Sequence, residues 1–368
     1  MPVAGRDTAI GQVTAAAYRI PSDAPESDGT FRWDSTTLVV VEVGAGGERG
    51  LGYSYTHDAA AILVNELLAG VIRGRDALAV PAAWAAMVRE VRNLGRPGLA
   101  ATAISAVDTA LWDLKARLLG LPLCDLLGRC RDGVPVYGSG GFTSYDADRL
   151  RTQLGGWVEE GIGRVKMKVG RQPEADLERV RVAREAIGAG AELFVDANGA
   201  YSREQARAFA GAFARYGVSW FEEPVSSDDL EGLRLVRDTA PPGMAVAAGE
   251  YGYDGFYFRR MLEAGAVDVL QADATRCLGI TGFMEAAALC RAHGVPLSAH
   301  TAPALHLHPC CALEPVRHLE YFHDHVRIER MLFAGVTYPA RGVLHPDATR
   351  PGHGLELKRA DAERFRVR

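Results

Sequence analysis

The chain has 368 residues, 48% of them hydrophobic and 24% charged, with a formal net charge of −5. That is enough for one large domain or two ordinary ones with a real core, and the slightly acidic balance excludes a basic nucleic-acid footprint. Its 41 glycines and 18 prolines fit many short turns and exclude a disordered chain. The longest apolar run, Ala77 to Val88, contains Pro81 and is too short to span a bilayer. No basic segment followed by an apolar run marks a signal peptide. The cysteines (Cys124, Cys130, Cys277, Cys290, Cys310, Cys311) form no CxxC pair and no zinc spacing. They predict reduced, mostly buried thiols in a cytoplasmic protein.

Strand patterns cover residues 9–20 and 35–43. The second ends at Gly44-Ala45-Gly46-Gly47, where Gly46-Gly47 predicts a hairpin tip before Gly50-Leu51-Gly52-Tyr53. Residues 21–34, polar and punctuated by Pro and Gly, predict a long loop of the kind that often forms a lid. Helical periodicity follows near 58–72, 81–93 and 100–119; in the last, Ile104, Val107, Leu111 and Leu114 share one apolar face. Residues 1–130 therefore read as α+β.

From residue 134 the pattern alternates. Short apolar runs lie at Val134–Gly138, Arg164–Val169, Glu192–Asp196, Ser219–Glu223, Met244–Glu250, Val267–Asp273, Pro296–His300 and His318–Phe322. Helical stretches such as 175–188 and 204–216 separate most of them. Repeated βα units predict a parallel sheet, and eight of them a closed barrel. The competing arrangement, an open doubly wound sheet, announces itself by a Gly-rich nucleotide turn, which Gly138-Ser139-Gly140-Gly141 matches only loosely.

The polar residues of these runs sit at their C-terminal ends, which converge on one mouth in a βα barrel. Lys166 and Lys168, with Met167 between them, face the same way on a period-2 strand. Asp196, Glu222 and Glu250 end three successive strands. Each alone would serve as a helix cap, but three converging carboxylates repel unless a hard cation neutralises them, and an all-oxygen set suits Mg²⁺. Beside that metal and a neighbouring ammonium, a lysine pKa can fall far enough to serve as a base. Asp273 and His300 end strands six and seven, where a carboxylate would fix the imidazole tautomer. Glu320, on the last strand, could donate to a developing oxyanion or pair with Arg317.

This constellation resembles the enolase superfamily, and within it the mandelate racemase subgroup. Further matches are Ala106-Val107-Asp108-Thr109-Ala110-Leu111-Trp112-Asp113-Leu114, similar to the family's last cap helix, and Arg350-Pro351-Gly352-His353-Gly354-Leu355 near the C-terminus. The resemblance implies an α/β fold, a modified TIM barrel (β/α)7β with an N-terminal α+β capping domain. Residues 1–130 would form the cap with its lid loop 21–34, residues 131–335 the barrel, and residues 336–368 a C-terminal return onto the cap. It further implies Mg²⁺ on Asp196, Glu222 and Glu250, and Lys168 as base, with Lys166 lowering its pKa. His300 and Asp273 would form a dyad on the opposite face, and Glu320 would hydrogen-bond the enolate. Asn198 and Glu223 would support the metal, and Asn198, Trp33 and Tyr53 would touch the substrate. Muconate-lactonizing relatives would carry a lysine where Asp273 stands.

The implied reaction is dehydration of a sugar acid, an aldonate or aldarate, to a 2-keto-3-deoxy acid. The alternative is racemisation or epimerisation of a 2-hydroxy or sugar acid. A catalytically silent barrel would have lost a ligand or a base, and every one is present. The implied partners are a small carboxylate substrate and further copies of the chain, from dimer to octamer, with no nucleic acid and no membrane. His306, His308, His323 and His325 fall on the mouth side of the chain, and His306-Leu307-His308, without further ligands, is no metal motif and reads as packing or support.

Overall fold

The computed structural model describes residues 7–368. Its first unit is an antiparallel sheet, β1 (Gln12–Ser27), β2 (Arg32–Ala45) and β3 (Glu48–Tyr55), in that order. β-branched residues fill β2, and Val39, Val41 and Val43 turn one face toward the helices that follow. The segment 21–34 is not the loop its polarity suggested. β1 and β2 run through it and still pair at Ser27 and Arg32, with a register shift between Pro21 and Glu26. β1 is an edge strand, where proline is tolerated and a bulge absorbs the break. Only the Asp28–Phe31 tip turns.

Helix α1 (Leu99–Leu119) packs across β3. It was expected to bury one face, yet it is buried nearly all round, because small alanines let the sheet and neighbouring helices close on every side. Gly120, left-handed at φ 68°, ends it.

The second unit is a closed ring of eight parallel strands: β4 (Val134–Gly140), β5 (Arg164–Lys168), β6 (Glu192–Asp196), β7 (Val218–Glu222), β8 (Ala245–Ala248), β9 (Val269–Ala272), β10 (Leu297–Ala299) and β11 (Val316–Phe322). Pairing of β11 with β4, from Leu319 and Val136 to Phe322 and Ser139, closes it. A helix connects each strand to the next, among them α2 (Gly279–His293) and α3 (Pro303–Ala312); α4 (His323–Leu332) follows β11. The fold is a modified TIM barrel with an N-terminal cap.

Buried polar groups join the two units. Asp108 of α1 accepts from the Thr281 N–H (2.9 Å) and hydroxyl (2.7 Å) at the start of α2. Asp113 accepts from the N–H groups of Leu51 (2.8 Å) and His353 (2.9 Å). The C-terminal segment returns to β1, where Arg19 N–H donates to Phe365 O at 2.8 Å and Val367 N–H to Ala17 O at 2.9 Å. No helix among the described residues is long and apolar enough to cross a membrane.

Candidate active site

Residues two apart on each strand share a face, and here the inner face carries one residue of the barrel core followed by one of the mouth. Phe194 precedes Asp196, Trp220 precedes Glu222, Gln271 precedes Asp273, Ser298 precedes His300 and His318 precedes Glu320. Tyr137, Phe194 and Trp220 form the layer beneath the mouth, with the Phe194 and Trp220 rings stacked at 5.2 Å. On β5 the pattern is polar throughout, and both Lys166 and Lys168 are buried. β8 breaks the spacing. Gly249 takes φ 136°, where an added Cβ would lie 2.1 Å from Gln271 O, and this kink delivers Glu250 to the mouth one residue late.

Asp196, Glu222 and Glu250 are buried, and one oxygen of each lies within 4.8 Å of the others. Lys166 Nζ pairs with Glu222 and reaches Glu320 Oε1 at 2.9 Å and Asp196 Oδ2 at 3.4 Å. Lys168 Nζ lies 2.5 Å from Asp196 Oδ2. Across the mouth, His300 Nδ1 meets Asp273 Oδ2 at 2.9 Å, and His300 Nε2 lies 3.3 Å from Glu250 Oε2. Trp220 Nε1–H donates to Glu222 (2.8 Å), and Glu320 accepts from Ser139 Oγ (2.5 Å) and Thr301 N–H (3.2 Å). Asn198, Glu223, Thr301 and Ala302 all hold positive φ without being glycine, strain concentrated just past the strand ends.

Charge decides what this mouth can hold. With every carboxylate ionised, Asp196, Glu222, Glu223, Glu250, Asp273 and Glu320 would outnumber Lys166, Lys168, Arg276 and a protonated His300 by two charges. Burial, with Asp196 next, pushes Glu222 up to about 8. Burial and the neighbouring carboxylates raise Glu223 well above the usual range. Buried Glu223 Oε1, Asn198 Oδ1 and Glu250 Oε2 accept no hydrogen bond. Three convergent carboxylates, orphaned oxygens and a deficit of two charges fit a hard divalent cation.

The carboxylates also set the charge of the neighbouring bases. Burial lowers both lysine pKa values, but Asp196 beside Lys168, and Glu222 and Glu320 beside Lys166, outweigh it and hold both ammonium groups above the ordinary lysine range. Lys166 itself pulls Lys168 down, and Asp196 and Glu222, which hold the lysines up, are carboxylates that a cation would engage. The neighbouring positive charges act on Glu320 as well. Burial raises it, yet Lys166 and His300 bring it down to about 2.

A cavity of about 450 Å³ opens above these groups. Trp33, Tyr55, Lys168, Asn198, His300 and Glu320 line it. Tyr53, expected at the substrate, is instead core: fully buried, with its hydroxyl donating to Glu329 Oε1 at 2.7 Å. Tyr55, two residues further along the same face of β3, lines the cavity instead. His308 is not near the mouth but accepts from Cys124 N–H at 3.2 Å, toward the other end of α3. His306 bridges two strand-end loops, accepting from Ala274 N–H (2.8 Å) and donating from Nδ1 to Thr301 O (2.9 Å). His323 meets Asp23 of the hairpin at 3.1 Å. Arg276, not singled out from sequence, binds Glu250 Oε1 at 3.2 Å and lies 3.6 Å from Asp273 Oδ2. Its place three residues after Asp273, past a strand end, was the available signal.

The mouth of the closed parallel barrel, under an α+β cap, thus carries buried carboxylates, two lysines and a His–Asp pair. The chain matches the mandelate racemase/muconate lactonizing enzyme N-terminal domain over residues 16–128 and the enolase C-terminal domain-like family over residues 149–362. It belongs to the enolase superfamily, in the mandelate racemase subgroup, whose members use Mg²⁺. It is 34% identical over 357 residues to a 3,6-anhydro-alpha-L-galactonate cycloisomerase of Streptomyces coelicolor, covering 95% of this chain and 97% of that one. A mandelate racemase/muconate lactonizing enzyme-like protein of Rubrobacter xylanophilus superposes with TM-score 0.96 at 58% identity, over 98% of this chain and 100% of that one. An L-talarate dehydratase of Polaromonas, complexed with Mg and L-glucarate, gives 0.89 at 30% identity over 98% of each chain.

Proposed function

We propose that this enzyme dehydrates a sugar acid, an aldonate or aldarate, to a 2-keto-3-deoxy acid. The observation that carries the reading is the placement of Lys168 and His300–Asp273 on opposite sides of the Asp196–Glu222–Glu250 cluster. Asp196, Glu222 and Glu250 would hold Mg²⁺, which supplies the positive charge that makes the proton α to a carboxylate removable. Lys166 binds the substrate carboxylate from below. Lys168 or His300, according to the stereocentre, takes the α-proton, and the electron pair moves into the carboxylate as an enediolate. Glu320, in its protonated form, would donate to an enediolate oxygen on the far side, with the Ser139 hydroxyl against it. The opposite group then donates its proton to the β-hydroxyl, the C–O bond breaks, water leaves, and the enol tautomerises to the 2-keto acid. Asp273 keeps the His300 ring oriented throughout.

The second reading is an isomerase. It is supported by the cycloisomerase relative, which aligns over almost the full length of both chains. Proton removal is the same in both; only the fate of the enediolate differs. A screen of aldonates and aldarates with Mg²⁺ in D₂O separates them. Release of a 2-keto acid is the expected result. Deuterium at C2 with no loss of water supports the isomerase, and neither outcome with any sugar acid contradicts both readings.

A further inference from the structure

His325 stands in the cavity wall with no part in the chemistry above. It is the third residue of α4, 7% exposed. Three contacts fix its ring. The Tyr55 ring stacks on one face at 3.4 Å and 9°, and Phe322 meets it edge-on at 5.0 Å. The third contact is polar: Ala302 N–H donates to His325 Nδ1 at 3.2 Å.

That last bond determines the tautomer. A backbone amide can only donate, so Nδ1 must be the unprotonated nitrogen, and the ring hydrogen sits on Nε2. Ala302 itself is held at φ 39°, in the strained turn that follows His300. The amide is aimed by the same loop that aims the base. Burial and the nearby positive charges of His300 and Arg276 hold the imidazole well below its usual pKa, so the ring stays neutral. His325 Nε2 has no hydrogen-bond partner among the described residues and is not among the sealed polar atoms. A locked ring thus presents one N–H to the cavity that also holds Lys168, His300 and Glu320. Such a donor, rigid and uncharged, suits a neutral oxygen acceptor.

We propose that His325 is a substrate-binding residue whose Nε2–H donates to a hydroxyl oxygen on the carbon chain of the sugar acid, selecting for a polyol over an apolar 2-hydroxy acid. The inference rests on the proposed sugar-acid reaction. Tyr55 and Phe322 set the donor's direction, and the Ala302 amide sets its protonation.

Asparagine and glutamine separate its two nitrogens. His325→Asn keeps an acceptor near the Nδ1 position for Ala302 but has no donor at Nε2. His325→Gln can place an N–H near Nε2. With the aldonate or aldarate that the wild type turns over fastest, His325→Asn should lower kcat/KM about tenfold, chiefly through KM. His325→Gln should recover most of it, and the kcat pH profile should not move. ¹⁵N NMR of the Mg²⁺-loaded wild-type protein should show His325 as the Nε2–H tautomer, not titrating between pH 6 and 9. Wild-type kinetics in His325→Asn, equal losses in both variants, or a titrating or Nδ1–H ring would overturn the assignment. A wild type that turns over no sugar acid refutes the underlying reaction instead. An active wild type matched by His325→Asn refutes the role of His325 alone.

Discussion

Single residues here are governed by burial. His306, His308, His318, His325 and His353 are all buried, and burial lowers the pKa of each. His308 falls to about 3. In the folded state it stays neutral, whereas in the unfolded chain it binds a proton near pH 6.5. Its contribution to stability is therefore present above about pH 6.5 and lost as pH falls toward 3. His308→Asn retains an acceptor for Cys124 N–H and removes that proton uptake. Thermal melts from pH 7 to 5 should show a shallower loss of stability in the variant, by up to about 1.4 kcal/mol per pH unit. Parallel curves would contradict the burial argument. At this scale the mouth was legible, because Lys166, Asp196, Glu222, Asp273, His300 and Glu320 all lie at or near the C-terminal ends of largely apolar strands. Tyr53 and Tyr55 were not separable, since they share one face of β3 and only their position along the strand decides which reaches the cavity. Nor could the sequence show how closely the carboxylates pair with both lysines, which depends on distances.

Among elements, the β1–β2 hairpin bears most directly on function. Its tip is seated on three barrel loops. Arg171 Nε donates to Asp28 O and Thr143 Oγ1 to the same oxygen, each at 2.9 Å, while Thr30 Oγ1 reaches Asn198 O at 3.4 Å. Gly29 lies so close that an added Cβ would be 2.2 Å from Ala197 O and 2.8 Å from Val169 O. Those are backbone atoms next to Asn198 and Lys168, so they cannot yield. Gly29→Val should lift the tip, raise KM several-fold and expose residues near Phe31 to limited proteolysis, with little change in melting temperature. Unchanged KM and cleavage would show that the seat is not needed. The sequence placed a covering segment here but took it for a loop. Prolines and charges signal irregular chain when the partner strand is unknown, and the ladder continues despite them on an edge.

For the whole molecule, the formal charge of −5 says little about the site. What matters is the local deficit at the mouth, which a dication removes. Mg²⁺ should therefore stabilise the fold, by about 2.7 kcal/mol when present at a hundredfold excess over its Kd, and EDTA should reverse the shift. Asp196→Asn should abolish the Mg²⁺-dependent rise in melting temperature; an undiminished rise would place the cation elsewhere. The barrel and cap were both readable from chain order, because βα units repeat at regular spacing while the cap puts its strands first. Their joining was not, since it depends on buried single groups such as Asp108 and Asp113 that resemble ordinary helix residues in sequence.

The central claim is that Lys168 and His300 flank one substrate carbon from opposite sides. Its most direct test is ¹H NMR of the substrate C2 proton in D₂O with Mg²⁺, comparing wild type, Lys168→Ala and His300→Asn. Each variant should lose product formation by a factor on the order of 10³. Solvent exchange at C2 should disappear only in the variant lacking the base for that stereocentre. Wild-type turnover in either variant, or exchange that survives in both, would contradict it.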